Sequence, residues 1–409
     1  MSPTNATPLP LFDAIEYIES NHLWDNEAII YPNDFKVSLR FLQCYRGSQG
    51  TFNSYRREVE RLLHWCWRVA ECSVNQLKYH DIEDFIQFCQ NPPHSWIGTK
   101  KVPRFIIKQG RRQPNTNWRP FVVTASKTQH RLNTDDLTFQ DFELSQGAIK
   151  EIFAILSTYY NFLIQEEYTQ ANPVALIRQK SQFIRKSQGT PKIRRLTNLQ
   201  WRYVFHTAQQ LADADAQRHE RTLFILSALF SMYLRISELV ASSRWTPTMN
   251  DFFRDHDNNW WFVTVGKGNK ERQIAVSDAM LNALKRWRRY LGRSSLPSPA
   301  DNAPLLPKLR GKGPLTSTTY IREIVQLCFD KAAQALQQDG YKEESEQLQE
   351  ATVHWLRHTG ISEDVQTRPR EHVRDDAGHG SSAITDRYID IELKERHRSA
   401  KNKPIDDNK

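Results

Sequence analysis

The chain has 409 residues, enough for two or three domains that each bury a core. Hydrophobic residues make up 39% and no apolar run approaches the roughly 18 residues that span a bilayer, so the composition is that of a globular protein and excludes a membrane-spanning one. Lys and Arg number 56 against 47 Asp and Glu, a formal charge of +9 that favours polyanionic partners.

In chain order, residues 1–50 form an N-terminal extension to which no role attaches. Its first twenty residues have neither a basic leader nor an apolar segment, which points to a cytoplasmic protein. Residues 51–70, TFNSYRREVERLLHWCWRVA, place Phe52, Tyr55, Val59, Leu62, Cys66 and Val69 at alternating steps of three and four, predicting an amphipathic helix. The opposite stripe, Arg57, Arg61, His64 and Arg68, is either solvated or laid against a phosphate backbone. Residues 92–135, rich in Pro, Arg and Lys, predict an irregular insertion or a small β element around 118–124. Asn91 to Thr134 contains no acidic residue, yet holds Lys100, Lys101, Arg104, Lys108, Arg111, Arg112, Arg119, Lys127 and Arg131. Such a stretch suits a surface that tracks phosphates, because each neutralised phosphate releases counterions.

A second helix is predicted over about 146–167, with Ile149, Ile152, Phe153, Leu156, Tyr160 and Leu163 on one side; the Asn172-Pro173 step punctuates the segment beyond it. A second acid-free stretch, Tyr168 to Ala212, includes Arg178, Lys180, Arg185, Lys186, Lys192, Arg194, Arg195 and Arg202. After Ile177 the segment RQKSQFIRKSQGTPKIRRLT lacks sustained apolar periodicity, which predicts a basic interdomain linker over 181–195. RTLFILSALFSMYLRISELVASS reads as one or two buried helices, with Arg235 inside them and Glu238 as its candidate partner. Trp260–Val265 and Gln273–Val276 predict a hairpin with Lys267 at its turn. Helices are predicted again over 278–291, 318–338 and around His354. Five cysteines, with no C-x-x-C spacing, suggest neither a disulfide framework nor a zinc ribbon.

Four segments carry candidate chemistry: LRISEL, GKGNKERQIAV, HWLRHT and AGHGSSAITDRY. In these motifs and their order the sequence resembles the tyrosine recombinase, or phage integrase, family over about residues 195–397. The resemblance implies a mainly α fold with a small β-sheet: a helical core-binding domain (51–180) and a catalytic domain (196–397, with a tail at 398–409), clamped around DNA. It implies Tyr388 as the nucleophile on a phosphodiester, forming a 3′-phosphotyrosyl bond. Arg235 and Arg357 grip the non-bridging oxygens, Lys267 is the general acid, His354 transfers a proton or holds the phosphate, and His379 bonds the same phosphate. Glu238 supports the first arginine. Planar guanidinium suits phosphate because it binds in a two-pronged way and keeps its charge.

Because one phosphodiester replaces another, the resemblance implies no metal and no other cofactor. It also implies double-stranded DNA with specific recombination sites, a homotetramer, an accessory DNA-bending or directionality protein, and a prokaryotic, nucleoid-associated enzyme serving integration or excision of a mobile element. Arg57, Arg61, Lys100, Lys101, Arg111, Arg112, Arg185, Lys186, Arg194 and Arg195 are the candidate DNA contacts. The sequence departs from the family at Met232 and Tyr233, where small residues are common, in an extra polar stretch RDHDNN, and at Ala377; Lys270 and Arg272 add cations beside Lys267. Three other readings stand beside this one: a metal site at His354, His358, His372 and His379, a DNA-binding protein of this fold without catalysis, and a type IB topoisomerase.

Overall fold

The computed structural model describes residues 7–19, 29–123, 138–180, 183, 194–266, 269–381, 384–385 and 401. The chain divides into two compact units, Met1–Thr190 and Pro191–Lys409. No helix among the described residues is long and apolar enough to cross a membrane.

In the first unit, α1 (Pro32–Gln43), α2 (Gln49–Trp65), α3 (Tyr79–Gln90), α4 (Gln146–Gln165) and α5 (Pro173–Lys180) enclose one apolar core. The spacing read over 51–70 has its physical basis in α2: Phe52, Val59, Leu62 and Cys66 are buried, and Phe41 of α1 stacks on Tyr55 at 5.5 Å. The α-helix stops sooner than the apolar period. Past Trp65 the chain widens into one π-helical turn, Cys66–Ala70, and Glu71 ends it in a left-handed conformation at φ 52°. The stripe opposite the core is also not uniformly solvated, since His64 is fully buried beside Trp96 and Trp118.

The described residues ahead of α2 join its core. Leu11, Phe12, Ile18 and the apolar residues of α1 belong to the same core as α2, and two buried carboxylates fasten them. Glu60 accepts from the Leu11 N–H at 2.5 Å and the Phe12 N–H at 3.3 Å. Asp34, fully buried, accepts from Trp67 Nε1 at 2.9 Å, Ser73 Oγ at 2.5 Å, the Val74 N–H at 3.1 Å and Tyr168 OH at 2.6 Å. The basic insertion holds more β structure than an element at 118–124: β1 (Ile97–Gly98) pairs in parallel with β4 (Phe121–Val122), and β2 (Phe105–Lys108) with β3 (Arg111–Pro114) makes an antiparallel hairpin.

In the second unit, α6 (Asn198–Ala214) and α7 (Ala216–Ser231) are separated only by Asp215, whose side chain accepts from the Arg218 N–H at 3.2 Å and caps α7. Helix α7 is buried from Glu220 to Leu229, as its apolar sequence requires. Around it pack α6, α8 (Asp278–Tyr290), α9 (Thr318–Gln338) and α11 (Val353–Asp364), while α10 (Lys342–Glu350) lies on α9 and α12 (Arg370–Ala377) comes after α11.

The sheet has three antiparallel strands, β5 (Phe252–Arg254), β6 (Trp260–Val265) and β7 (Glu271–Ala275). Strand β5 is only three residues long, too short to show an alternation in the sequence. The polar stretch RDHDNN is the β5–β6 turn: Asp255 accepts from the Asp257 and Asn259 N–H groups and from Trp261 Nε1, at 2.9, 2.8 and 2.8 Å.

Two substitutions test these contacts. Asp34→Ala strands two buried donors, Trp67 Nε1 and the Val74 N–H, and two half-buried hydroxyls, and is expected to destabilise the first unit by about 2–4 kcal/mol; a urea midpoint equal to wild type contradicts the role given to this carboxylate. At Gly360 on α11 an added Cβ would stand 2.1 Å from the Phe230 carbonyl oxygen of α7. Gly360→Ala should therefore lower the second unit's thermal midpoint, by a cost of about 1–3 kcal/mol, and an unchanged midpoint would show that the helices do not meet there.

Candidate active site

The site is built where α7 ends. Tyr233 takes a left-handed conformation, φ 49°, which a non-glycine residue adopts only under constraint, and this turns the chain out of the helix. Arg235 therefore stands in a tight turn at the start of a short 3-10 segment, Ile236–Glu238, and not inside an apolar helix as its sequence suggests. The cost of a cation within such a helix does not arise, because the side chain is 31% exposed.

Glu238 is the hub. Its carboxylate, 2% exposed, accepts from the Arg235 N–H at 2.8 Å and from Arg235 Nη1 at 2.9 Å. Arg272 on β7 meets it with both guanidinium arms, Nη1 to Oε1 and Nη2 to Oε2, each at 2.8 Å. Such two-pronged pairs fix orientation as well as charge. Burial pushes the Glu238 pKa up, but the hydrogen bonds and charge of Arg272, then of Arg235, outweigh it and hold the carboxyl below its usual range. Arg272 also donates from Nε to the Asp376 carbonyl at 3.0 Å, joining the sheet to α12.

Arg357, buried on α11, donates through Nη1 to the Tyr233 carbonyl and through Nη2 to the Ala377 carbonyl at 2.6 Å. It is thus gripped by the two segments that carry Arg235 and His379. Helix α12 ends at Gly378, whose φ of 63° an L side chain rarely adopts and whose Cα faces Arg272 Cδ closely enough that a Cβ would lie 2.8 Å away. His379 is next in the chain, with Nδ1 2.9 Å from Oγ1 of buried Thr385.

Behind these residues, the Tyr233 hydroxyl donates to Asp364 and accepts from Arg368 Nη1 at 2.9 Å, and Arg368 Nη2 reaches Asp376 at 2.6 Å. Asp376 in turn accepts from the Ala275 N–H of β7 at 3.3 Å. Sequence reasoning missed Arg272, Arg368, Asp376 and Thr385 as parts of the site. For Arg272 a signal existed: it shares the inward face of β7 with buried Ile274, two residues on.

His354 is exposed on α11, its ring edge-on to His358 at 4.4 Å between centroids. Partial desolvation of the ring, then the charges of Arg357 and Arg235, lowers its pKa. His358 is pushed down to about 4 by burial, His354, Arg357 and His379, and His379 to about 4 by burial, Arg357, Arg235 and Arg272. At neutral pH the pocket therefore presents guanidinium cations and neutral imidazoles, a field that suits an anion, whose arrival would relieve the penalty on imidazole charge. No group of three or more His, Cys, Asp or Glu side chains among the described residues is arranged to hold a metal ion.

Lys267, Tyr388, Arg185 and Lys186 lie outside the described residues. The other candidate DNA contacts divide by what occupies their charge. Arg57 pairs with Glu58 and with Glu151 at 3.4 Å, Arg61 bonds Glu58 at 3.0 Å and the Pro120 carbonyl at 2.9 Å, and Arg112 is paired with Asp13. Lys100, Lys101, Arg111 and Arg194 are exposed and Arg195 is half-buried near Glu363.

Residues 195–395 match the model of the Phage integrase family. The tyrosine recombinase XerD of Rickettsia bellii (strain RML369-C) is 25% identical over 144 residues, 35% of this chain and 44% of that protein, so this chain spans less than half the length of that relative. The post-cleavage complex of the XerH site-specific recombinase with a palindromic difH substrate superposes with a TM-score of 0.57 at 12% identity, covering 98% of this chain and 97% of that one, a likeness of fold. Residues 195–395, in which Arg235, Glu238, Arg357 and His379 come together, form a domain of the phage integrase family of tyrosine recombinases.

Proposed function

We propose that this chain is a site-specific DNA recombinase that cleaves and rejoins strands through a 3′-phosphotyrosyl intermediate. The observation that carries the reading is the cationic pocket itself: Arg235 and Arg357 held rigidly by Glu238, Tyr233 and Ala377, with neutral His354 and His379 beside them. Arg235 and Arg357 hold the non-bridging oxygens and stabilise the charge that grows on them. The Tyr388 hydroxyl attacks phosphorus, the bond from phosphorus to the 5′ oxygen breaks, and Lys267 supplies the proton with which that oxygen leaves. His354, neutral before DNA binds, accepts the phenolic proton. Rejoining runs the same steps backward from another 5′ hydroxyl.

On this reading the partner is duplex DNA carrying recombination sites, four copies act on a pair of sites, and the reaction serves the integration or excision of a mobile element in a prokaryotic cytoplasm. The two acid-free stretches supply the sequence-independent part of the affinity.

Incubated with nicked duplexes drawn from DNA flanking its own gene and run on a denaturing gel, the wild-type protein should give a covalent adduct mapping to Tyr388. Tyr388→Phe should give none. Binding without an adduct would favour a catalytically silent member of the fold, and an adduct retained by the variant would mean another nucleophile. Glu238→Gln should slow adduct formation about 10²-fold, because misplacement of the arginines by about 1 Å costs that much, while DNA affinity is retained. Equal losses in affinity and rate would make Glu238 a folding residue rather than a positioning one.

A further inference from the structure

The hairpin of β2 and β3 in the first unit is unlike the helices around it. Its turn, Gln109-Gly110, has both residues at positive φ (52° and 72°), the two-residue geometry that twists with the strands and stiffens a ribbon. Its root is fastened on both strands. Phe105 is buried, and Arg104 donates to the Phe12 carbonyl at 3.1 Å with its guanidinium over the Trp118 ring. Arg112 donates to Asp13 at 2.8 Å and lies over Tyr17.

The register pairs Ile106 with Gln113 and Lys108 with Arg111, so these four share one face, and all four are exposed. Ile107, on the other face and nearer the tip than Phe105, is 73% exposed, more than any other large hydrophobic residue described. An aliphatic tip, two cations and an amide on a rigid ribbon form an unpaired sheet edge that invites aggregation unless something covers it.

We propose that this ribbon enters the major groove of the DNA bound by the first unit, with Lys108 and Arg111 on phosphates, and Ile106 and Gln113, the cross-strand pair on the same face, at base edges. Duplex DNA is favoured over a protein partner by charge: the surrounding sequence from Asn91 to Thr134 has no carboxylate, and its Lys100 and Lys101 are also exposed. A two-stranded ribbon matches the width of the major groove, and an aliphatic side chain there reads the thymine methyl. The proposal rests on the reading of the chain as a DNA recombinase.

The test measures binding of the full chain to duplexes from DNA flanking its gene, over a range of salt. Lys108→Ala/Arg111→Ala should reduce the slope of log affinity against log salt by about 1.8, two phosphate contacts at about 0.9 each. Replacing thymine by deoxyuridine in the duplex should weaken wild-type binding about fourfold for each contacted methyl and leave Ile106→Ser unaffected. Equal thermal midpoints for all variants exclude misfolding as the cause. If wild type binds DNA and the variants match its slope and its thymine dependence, the ribbon proposal falls while the recombinase reading stands. If Ile106→Ser instead abolishes self-association of the DNA-free protein and spares DNA binding, the ribbon is a contact between copies and the proposal also falls. Absence of DNA binding by wild type would remove the recombinase reading itself.

Discussion

The second unit of this protein depends on one buried carboxylate. Glu238 lies between two guanidinium groups that come from different parts of the fold, Arg235 from the turn after α7 and Arg272 from β7. A carboxylate this deeply buried survives as an anion only with partners that outweigh its desolvation, and here the balance falls to the charged side. The sheet, the α7 turn and, through the Asp376 carbonyl, the end of α12 are therefore fixed together by polar bonds with defined directions. Arg357 adds a second crossing, since the carbonyls of Tyr233 and Ala377 hold its two arms.

The same design recurs in the first unit with different partners. Asp34 collects four donors from the π-helical turn, the loop after it and Tyr168, and Glu60 collects the backbone of residues 11 and 12 together with Arg104. Each carboxylate reaches between elements that apolar packing alone would leave free to slide. Arg104 also anchors the hairpin, so the hairpin's aim is set by the same bond that secures the N-terminal segment to α2.

Legibility in the sequence depends on having a period or a motif. The helices at 146–165, 278–290 and 318–338 and the β6–β7 hairpin announce themselves by spacing, and the four motifs name Arg235, His354, Arg357 and His379. The turn at Arg235 was not legible, because nothing in the letters MYLR says that Tyr233 is driven into a left-handed conformation; that conformation answers to the carbonyl that Arg357 demands. Residues 11–18 join a core without any repeat of their own, and Arg272 gains its role from a carboxylate 34 positions away. The ribbon at 105–114 is hidden within a stretch whose charge is more conspicuous than its register.

The neutral histidines have a consequence for how acidity acts on the protein. His358 and His379 are held near 4 in the folded chain, below the usual value of about 6.5. Between those limits the unfolded chain takes up protons that the folded one refuses, so their contribution to stability is present above the unfolded value and lost as pH falls through the folded one. A phosphate in the pocket reverses the preference, because an anion beside an imidazole favours its protonated form. By linkage, complex formation then draws protons from solution. Mild acid therefore loosens the empty pocket, and an anion seated beside these imidazoles would oppose that loosening and so become part of what keeps the second unit folded.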